Sequence, residues 1–258
     1  MAAEPATPES EPRRHAVRLT PLYVPKSSDV LADDLRERIL RGEFPEDTAL
    51  PPERELVKQT RMSRATVREA LRILEVQGLV RIKTGRTGGA YVYRPGHDSM
   101  ADSVNLLIRA RQIRIPALLE TREAIEPFCA QLAAQHRTDE DLGHLEAANE
   151  AMAAGGTLAE FLHANVDWHV AVAVAGHNEL LTGFMLALSR SIYASTDNQG
   201  FVDDDVRQTT LRAHRAVTKA IHAKDPDAAR RRMSRHVHFY AEAVMEVEDR
   251  TSIEVPQH

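Results

Sequence analysis

Residues 51–80, PPERELVKQTRMSRATVREALRILEVQGLV, decide how the rest of this chain is read. Pro51-Pro52 can open a short helix in which Leu56 and Val57 pack inward while Arg54 and Lys58 point away. A tight turn follows. Ser63 is placed to cap a second helix, because its hydroxyl can accept from the free backbone donors of the first turn. Val67, Ala70, Leu71 and Leu74 then recur on one face, with Arg64, Arg68 and Arg72 on the other, and Gly78 ends the helix. Residues 79–83 and 90–93 alternate like two strands around Thr84-Gly85-Arg86-Thr87-Gly88-Gly89, which predicts a hairpin. Two short helices, a tight turn and a hairpin make a winged helix-turn-helix.

Charge says what this element faces. Residues 51–95 hold ten Lys or Arg against four Glu, a local net of +6, whereas the whole chain carries −5 and the remainder therefore −11. A basic patch on an acidic protein marks a polyanion partner, since neutralised phosphates release their counterions. Arginines on a solvated helix face ordinarily do no more than keep a protein soluble. Here the stripe sits on a capped helix, after a tight turn and before a glycine-rich wing, and that context favours nucleic acid. Arg64 and Arg68 lie one turn apart near the start of the helix, where a major-groove reader makes its base contacts. Arginine pairs best with guanine, so readout at G·C positions is expected.

The chain of 258 residues is long enough for two domains. Residues 1–20 are rich in Pro, Glu and Ala and read as a disordered tail. A helix is predicted over 30–41, capped by Asp29 or Ser28, with Leu31, Leu35 and Ile39 inward and Gly42 as its stop. It completes a DNA-binding domain over 21–95. The turn-rich run 94–99 marks a boundary, and 96–115 reads as linker and connecting helix. Helical periodicity then covers 103–113, 116–136, 138–153, 157–176, 178–194, 204–223 and 226–247, with no strand pattern. The fold class is therefore mainly α: a winged helix-turn-helix followed by an all-α bundle of six to seven helices over 116–250, with 251–258 as a tail. The single Cys129 excludes an internal disulfide and suits a reducing cytoplasm. With no apolar run of membrane-spanning length, a cytoplasmic protein without membrane contact is expected.

Twelve histidines raise the question of a metal. Most occupy exposed or loop positions, but three do not. His169 follows Asn165 by four residues on an otherwise apolar helical face, His214 shares its face with Leu211, Val217 and Ile221, and His236 with Met233, Val237 and Tyr240. His163 and His238 are displaced round their helices and should point elsewhere. Each of the three alone reads most simply as a hydrogen-bonded core residue. Together, with an oxygen ligand, they can supply the neutral nitrogens that a borderline divalent ion prefers: zinc first, nickel or manganese as alternatives.

The block LPPERELVKQTRMSRATVREALRILEVQGLVRIKTGRTGGAYV resembles the DNA-binding domain of GntR-type bacterial transcription regulators, whose signature runs close to LPSERELA, then SRTPVREAL, then a wing ending in G-G-x-x-V. The resemblance covers 30–92. It implies that Arg54, Arg64 and Arg68 approach an operator, with Ser63 and Thr66 at phosphates and Thr84-Gly85 of the wing at the minor groove. Ala65 stands where many relatives have Thr. The later segment 119–237 is similar to the all-helical ligand-binding FCD domain of the FadR-like branch, through Glu120, Arg122, Glu126, Ala133-Ala134, Asn165, Trp168, His169, Gly176, Asn178, His214 and His236. Metal-binding members carry three histidines at these places and an aspartate one turn before the first. Here that position is Asn165, an uncharged ligand that leaves the site one unit more positive and so favours an anion.

Arg122 is the natural partner for a small carboxylate effector, because its planar fork binds a carboxylate in bidentate fashion. An ordinary salt bridge to Glu126, four residues on, is the equal alternative. The resemblance also implies a homodimer on a palindromic double-stranded operator, regulated by effector binding, most often as a repressor. Two other classes stay open: a metal-dependent enzyme built on the three histidines, and a purely structural histidine cluster. Against the enzyme, no general base shares the His169 face, since Asp167 and Glu160 lie off it.

Overall fold

The computed structural model describes residues 24–85, 88–94, 96–196, 202–247 and 253. The expected tail over 1–20 and the wing residues Arg86 and Thr87 lie outside them. The chain divides into two compact units, Met1–Arg94 and Pro95–His258.

In the first unit the elements are α1 (Ser27–Leu40), α2 (Glu53–Thr60), α3 (Arg64–Val76), β1 (Val80–Lys83) and β2 (Gly89–Val92). Leu31, Leu35 and Ile39 of α1, Leu56 of α2 and Val67, Ala70, Leu71 and Leu74 of α3 share one core. Val57 is only partly buried against it. The strands pair antiparallel with Val80 opposite Val92 and Lys83 opposite Gly89; β1 starts one residue later than expected and ends as expected at Lys83, and β2 is shifted by one residue toward the turn. Leu50 N–H donates to Ala90 O at 2.8 Å, tying the segment before α2 to the hairpin. Neither expected cap of α1 is used. The helix starts earlier, from the extended residue Lys26, and Ser28 lies buried inside it among the core-facing positions.

In the second unit α4 (His97–Arg111), α5 (Ile115–His136), α6 (Asp139–Ala153), α7 (Leu158–Ala175), α8 (Glu179–Thr196), α9 (Asp204–His222) and α10 (Pro226–Val247) form an all-helical bundle. The connecting helix begins six residues before the expected 103, because the chain enters α4 directly from the extended Gly96. Thr138 with Asp141 and Thr157 with Glu160 are reciprocal capping boxes for α6 and α7, and the Asp203 carboxylate caps α9. Helix α5 packs on α10, α7 and α9, so that it runs through the centre of the bundle. Trp168, Met185, Ile192, Ile221 and Met233 are fully buried there. Trp168 keeps its polar end satisfied by donating Nε1–H to Thr218 Oγ1 at 3.1 Å. The expected 251–258 tail is not wholly a tail. Ile253 is 6 % exposed, sits in the bundle core and donates its N–H to Ile113 O at 3.0 Å. No helix among the described residues is long and apolar enough to cross a membrane.

Leu74 is fully buried at the centre of the first core. Leu74→Ala should destabilise that unit by about 2–5 kcal/mol through lost transfer energy and the residual cavity. Equilibrium urea unfolding measures it, and an unchanged midpoint would contradict this packing.

Candidate functional site

The first site is the exposed face of α3 and the hairpin after it. Arg61 adopts the left-handed conformation (φ 58°) that turns the chain between α2 and α3. Thr66 N–H donates to Ser63 Oγ at 3.1 Å, so Ser63 is the cap expected of it, and the two hydroxyls lie 2.8 Å apart. Burying Val67, Ala70, Leu71 and Leu74 fixes the rotation of α3 and leaves Arg64, Arg68 and Arg72 exposed on the far side. Arg54 is exposed as well. Arg68 Nε lies 3.4 Å from Glu53 Oε1, with both side chains largely solvated. An exposed pair of this kind contributes about 0–1 kcal/mol, too little to keep Arg68 from a phosphate or a base. Thr84 and Gly85 are exposed at the wing, where Gly85 has φ +103°. A Cβ on Gly88 would come within 2.8 Å of two backbone oxygens, which only glycine avoids.

The second site lies inside the bundle. His169, His214 and His236 come from α7, α9 and α10, and all are buried. Each offers a nitrogen within 4.8 Å of the others. His214 Nε2 and His236 Nε2 stand 3.0 Å apart, and the Trp168 indole stacks on His214 at 3.7 Å. Arg122 Nε donates to Glu126 Oε1 at 2.6 Å, and Glu126 Oε2 lies 2.5 Å from His169 Nδ1. Arg122 Nη2 is 3.2 Å from His169 Nε2. Guanidinium has only donors, so His169 Nε2 accepts, and its proton belongs on Nδ1 beside the carboxylate. Asn165, one turn before His169, is 6 % exposed and lines a small chamber with Arg122, His169 and His236.

Electrostatics follow from the burial. Desolvation pushes the pKa of all three imidazoles below the usual value, that of His236 to about 3, and the charges of Arg122 and neighbouring imidazoles add to the effect on His214 and His236. All three are neutral at pH 7 and keep lone pairs to offer. Burial alone would raise the Glu126 carboxyl, but Arg122 and His169 outweigh it and hold the group well below the usual carboxylate range. Glu126 is therefore an anion in the core, neutralised by Arg122.

The donor set fits a divalent ion. Nitrogens at about 2.0–2.1 Å from zinc stand roughly 3.0–3.4 Å from one another. The His214–His236 separation already meets that, and the widest pair must close by about 1.4 Å from its 4.8 Å limit. The Glu126 carboxylate behind His169 is the support that metal-ligating histidines ordinarily have.

Spacing brought out Asn165, His169, His214 and His236, and the family resemblance Arg122; the fold gathers Arg122, Asn165, His169 and His236 around one chamber, with His214 in contact with His236. Sequence spacing gives no sign of the contact of Glu126 with His169 or of the stacking of Trp168 on His214. Each joins residues far apart in the chain, and no local pattern marks them. His163 and His238 do point elsewhere: His163 bonds to Ala159 O, and His238 pairs with Glu123 and Glu242 at the surface.

Residues 27–92 match the family described as bacterial regulatory proteins, gntR family, and residues 117–239 match the FCD domain. Over 230 residues the chain is 30% identical to the HTH-type transcriptional repressor NanR of Klebsiella aerogenes, covering 86% of this chain and 87% of the relative. Against NanR of Escherichia coli the identity is 30% over 229 residues, 86% of this chain and 85% of the relative. Among solved structures, Streptococcus agalactiae GntR superposes with a TM-score of 0.66 at 26% identity, covering 84% of this chain and 99% of that one. A winged helix with a basic face, coupled in one chain to an FCD bundle, defines a transcription regulator of FadR-like architecture and not an enzyme. The chain belongs to the GntR family of DNA-binding bacterial regulators.

The buried imidazoles make the metal-free bundle acid-sensitive. Burial holds their folded pKa values below the ordinary imidazole value of about 6.5, so their stabilisation is complete above that pH and declines as the pH falls, for His236 down to about 3. At pH 5 the loss from His236 should be about 2 kcal/mol. Thermal melts of chelator-treated protein between pH 7.5 and 5 should fall steadily, and His236→Gln should flatten the slope. A parallel slope in that variant would contradict the burial of His236 as a neutral base.

Proposed function

We propose that the chain is an operator-binding repressor whose DNA affinity is set by a small carboxylate, held in a pocket of the bundle that also carries a divalent ion. Residues 21–95 read the DNA and 116–250 bind the effector and pair two subunits, so that the homodimer meets a palindrome in the cytoplasm. Repression is the function in the names of the NanR relatives. In this reading Arg54, Arg64 and Arg68 approach the operator, Arg64 and Arg68 in the major groove, while Ser63 and Thr66 meet phosphates and Thr84-Gly85 follow the minor groove.

The observation that carries the ligand reading is Arg122 Nη1, buried beside the neutral imidazoles without a hydrogen-bond partner among the described residues. An unpaired guanidinium nitrogen in the core is costly, and an anion would satisfy it. His169, His214, His236 and Asn165 would hold the ion, zinc first and nickel or manganese next. A bound divalent ion supplies a positive charge that attracts an acid. When the His169 Nε2 lone pair is used that way, Arg122 Nη2 loses its acceptor and turns to the acid with Nη1, while Glu126 keeps Nε in place. The effector controls DNA only if it binds the DNA-free and DNA-bound arrangements with different affinity.

Two experiments test this reading. Arg64→Ala and Arg68→Ala should each weaken operator binding by about 10- to 100-fold without loss of helical signal, as expected for lost base contacts worth about 1–3 kcal/mol. Operator shifts like those of the wild type in both variants would rule out α3 as the reading helix. For the pocket, untagged protein purified without chelator should contain about one divalent ion per chain by elemental analysis, and His214→Ala should lose most of it. Equal metal content in that variant would leave the three histidines as a structural cluster.

A further inference from the structure

The chamber bordered by Arg122, Asn165, His169 and His236 is only about 20 Å³, room for one water-sized group. Beside it lies a cavity of about 460 Å³ lined by α9 and α10, within the range that holds small organic ligands. Val206, Thr210, His236 and Tyr240 line both. The walls of the outer cavity are mostly apolar, with Ala213 and Ala216 from α9 and Phe239 and Ala243 from α10. Phe239 is 60 % exposed, a large ring left in water at the edge of a ligand-sized space. Two of the charged residues at this cavity are already engaged, Arg232 Nη1 on Ala216 O at 2.6 Å and Asp203 in capping α9.

From this we infer that the inner and outer chambers are one ligand site, and that the effector is an elongated carboxylic acid with an apolar body. The inference rests on the anion reading above and extends it to the rest of the molecule. The acid head goes to Arg122 and the histidines, one of its oxygens filling the inner chamber. The body leaves past Val206, Thr210 and Tyr240 and lies between α9 and α10 over Phe239. An acid of two carbons would gain nothing from these walls. Each methylene buried along them adds about fourfold in affinity.

Calorimetric titration of the full chain in the presence of zinc, with acetate, butanoate, hexanoate and octanoate, tests the idea. Affinity should climb about two- to fourfold per methylene. Ala213→Trp, which fills the outer cavity from α9, should flatten that climb and leave acetate unchanged. Ala243→Trp fills it from α10 and serves if the first variant does not fold. Equal affinity for acetate and octanoate in the wild type would overturn the inference, as would an undiminished climb in the folded tryptophan variants. Acetate binding that survives in either case leaves the anion reading standing. No binding of any acid, acetate included, would sink both.

Discussion

A guanidinium and a carboxylate cannot both sit dry in a helical core unless each neutralises the other. Arg122 and Glu126 do so across one turn of α5, with side chains 3 % and 2 % exposed. Breaking such a pair by removing one member typically costs about 3–5 kcal/mol, because the survivor is left as an unpaired buried charge. The pair therefore does more than hold α5 in place. Glu126 presents its second oxygen to His169 and Arg122 presents a second nitrogen to the same ring, so one ion pair settles which nitrogen of His169 keeps a lone pair.

The rest of the bundle is built to keep this cluster dry. Trp168 covers one side of His214, and its own N–H is taken by Thr218, which also accepts from Asn149 Nδ2 at 3.0 Å. Burial keeps the imidazoles neutral, and neutral imidazoles are what an ion requires. The same burial makes any charge in the cluster costly unless it is matched, as Arg122 matches Glu126. Low dielectric thus strengthens every interaction in the chamber and penalises every one left unmade.

The basic face of α3 follows the opposite rule. Its arginines are solvated, their ion pairs are weak, and their orientation comes from the apolar side of α3. Arg64 and Arg68 face outward because Val67, Ala70, Leu71 and Leu74 are buried on the other face. Charges there are screened by solvent, whereas in the bundle a few act almost unscreened.

The sequence by itself determined whatever repeats at short range. The Ser63 cap, the apolar face of α3, the hairpin, the seven later helices and the inward faces bearing His169, His214 and His236 all follow from periodicities of two or 3.6 residues and from local hydrogen bonding. The Arg122–Glu126 pair was legible as an alternative for the same reason, four residues being one turn. Tertiary structure alone decided the contacts between helices: Glu126 on His169, Trp168 on His214, Ile253 against Ile113, and a cavity beside the histidines. Those depend on how far each helix is rotated and slid against its neighbours, and that is set by the summed packing of the whole core, which no single stretch of chain encodes.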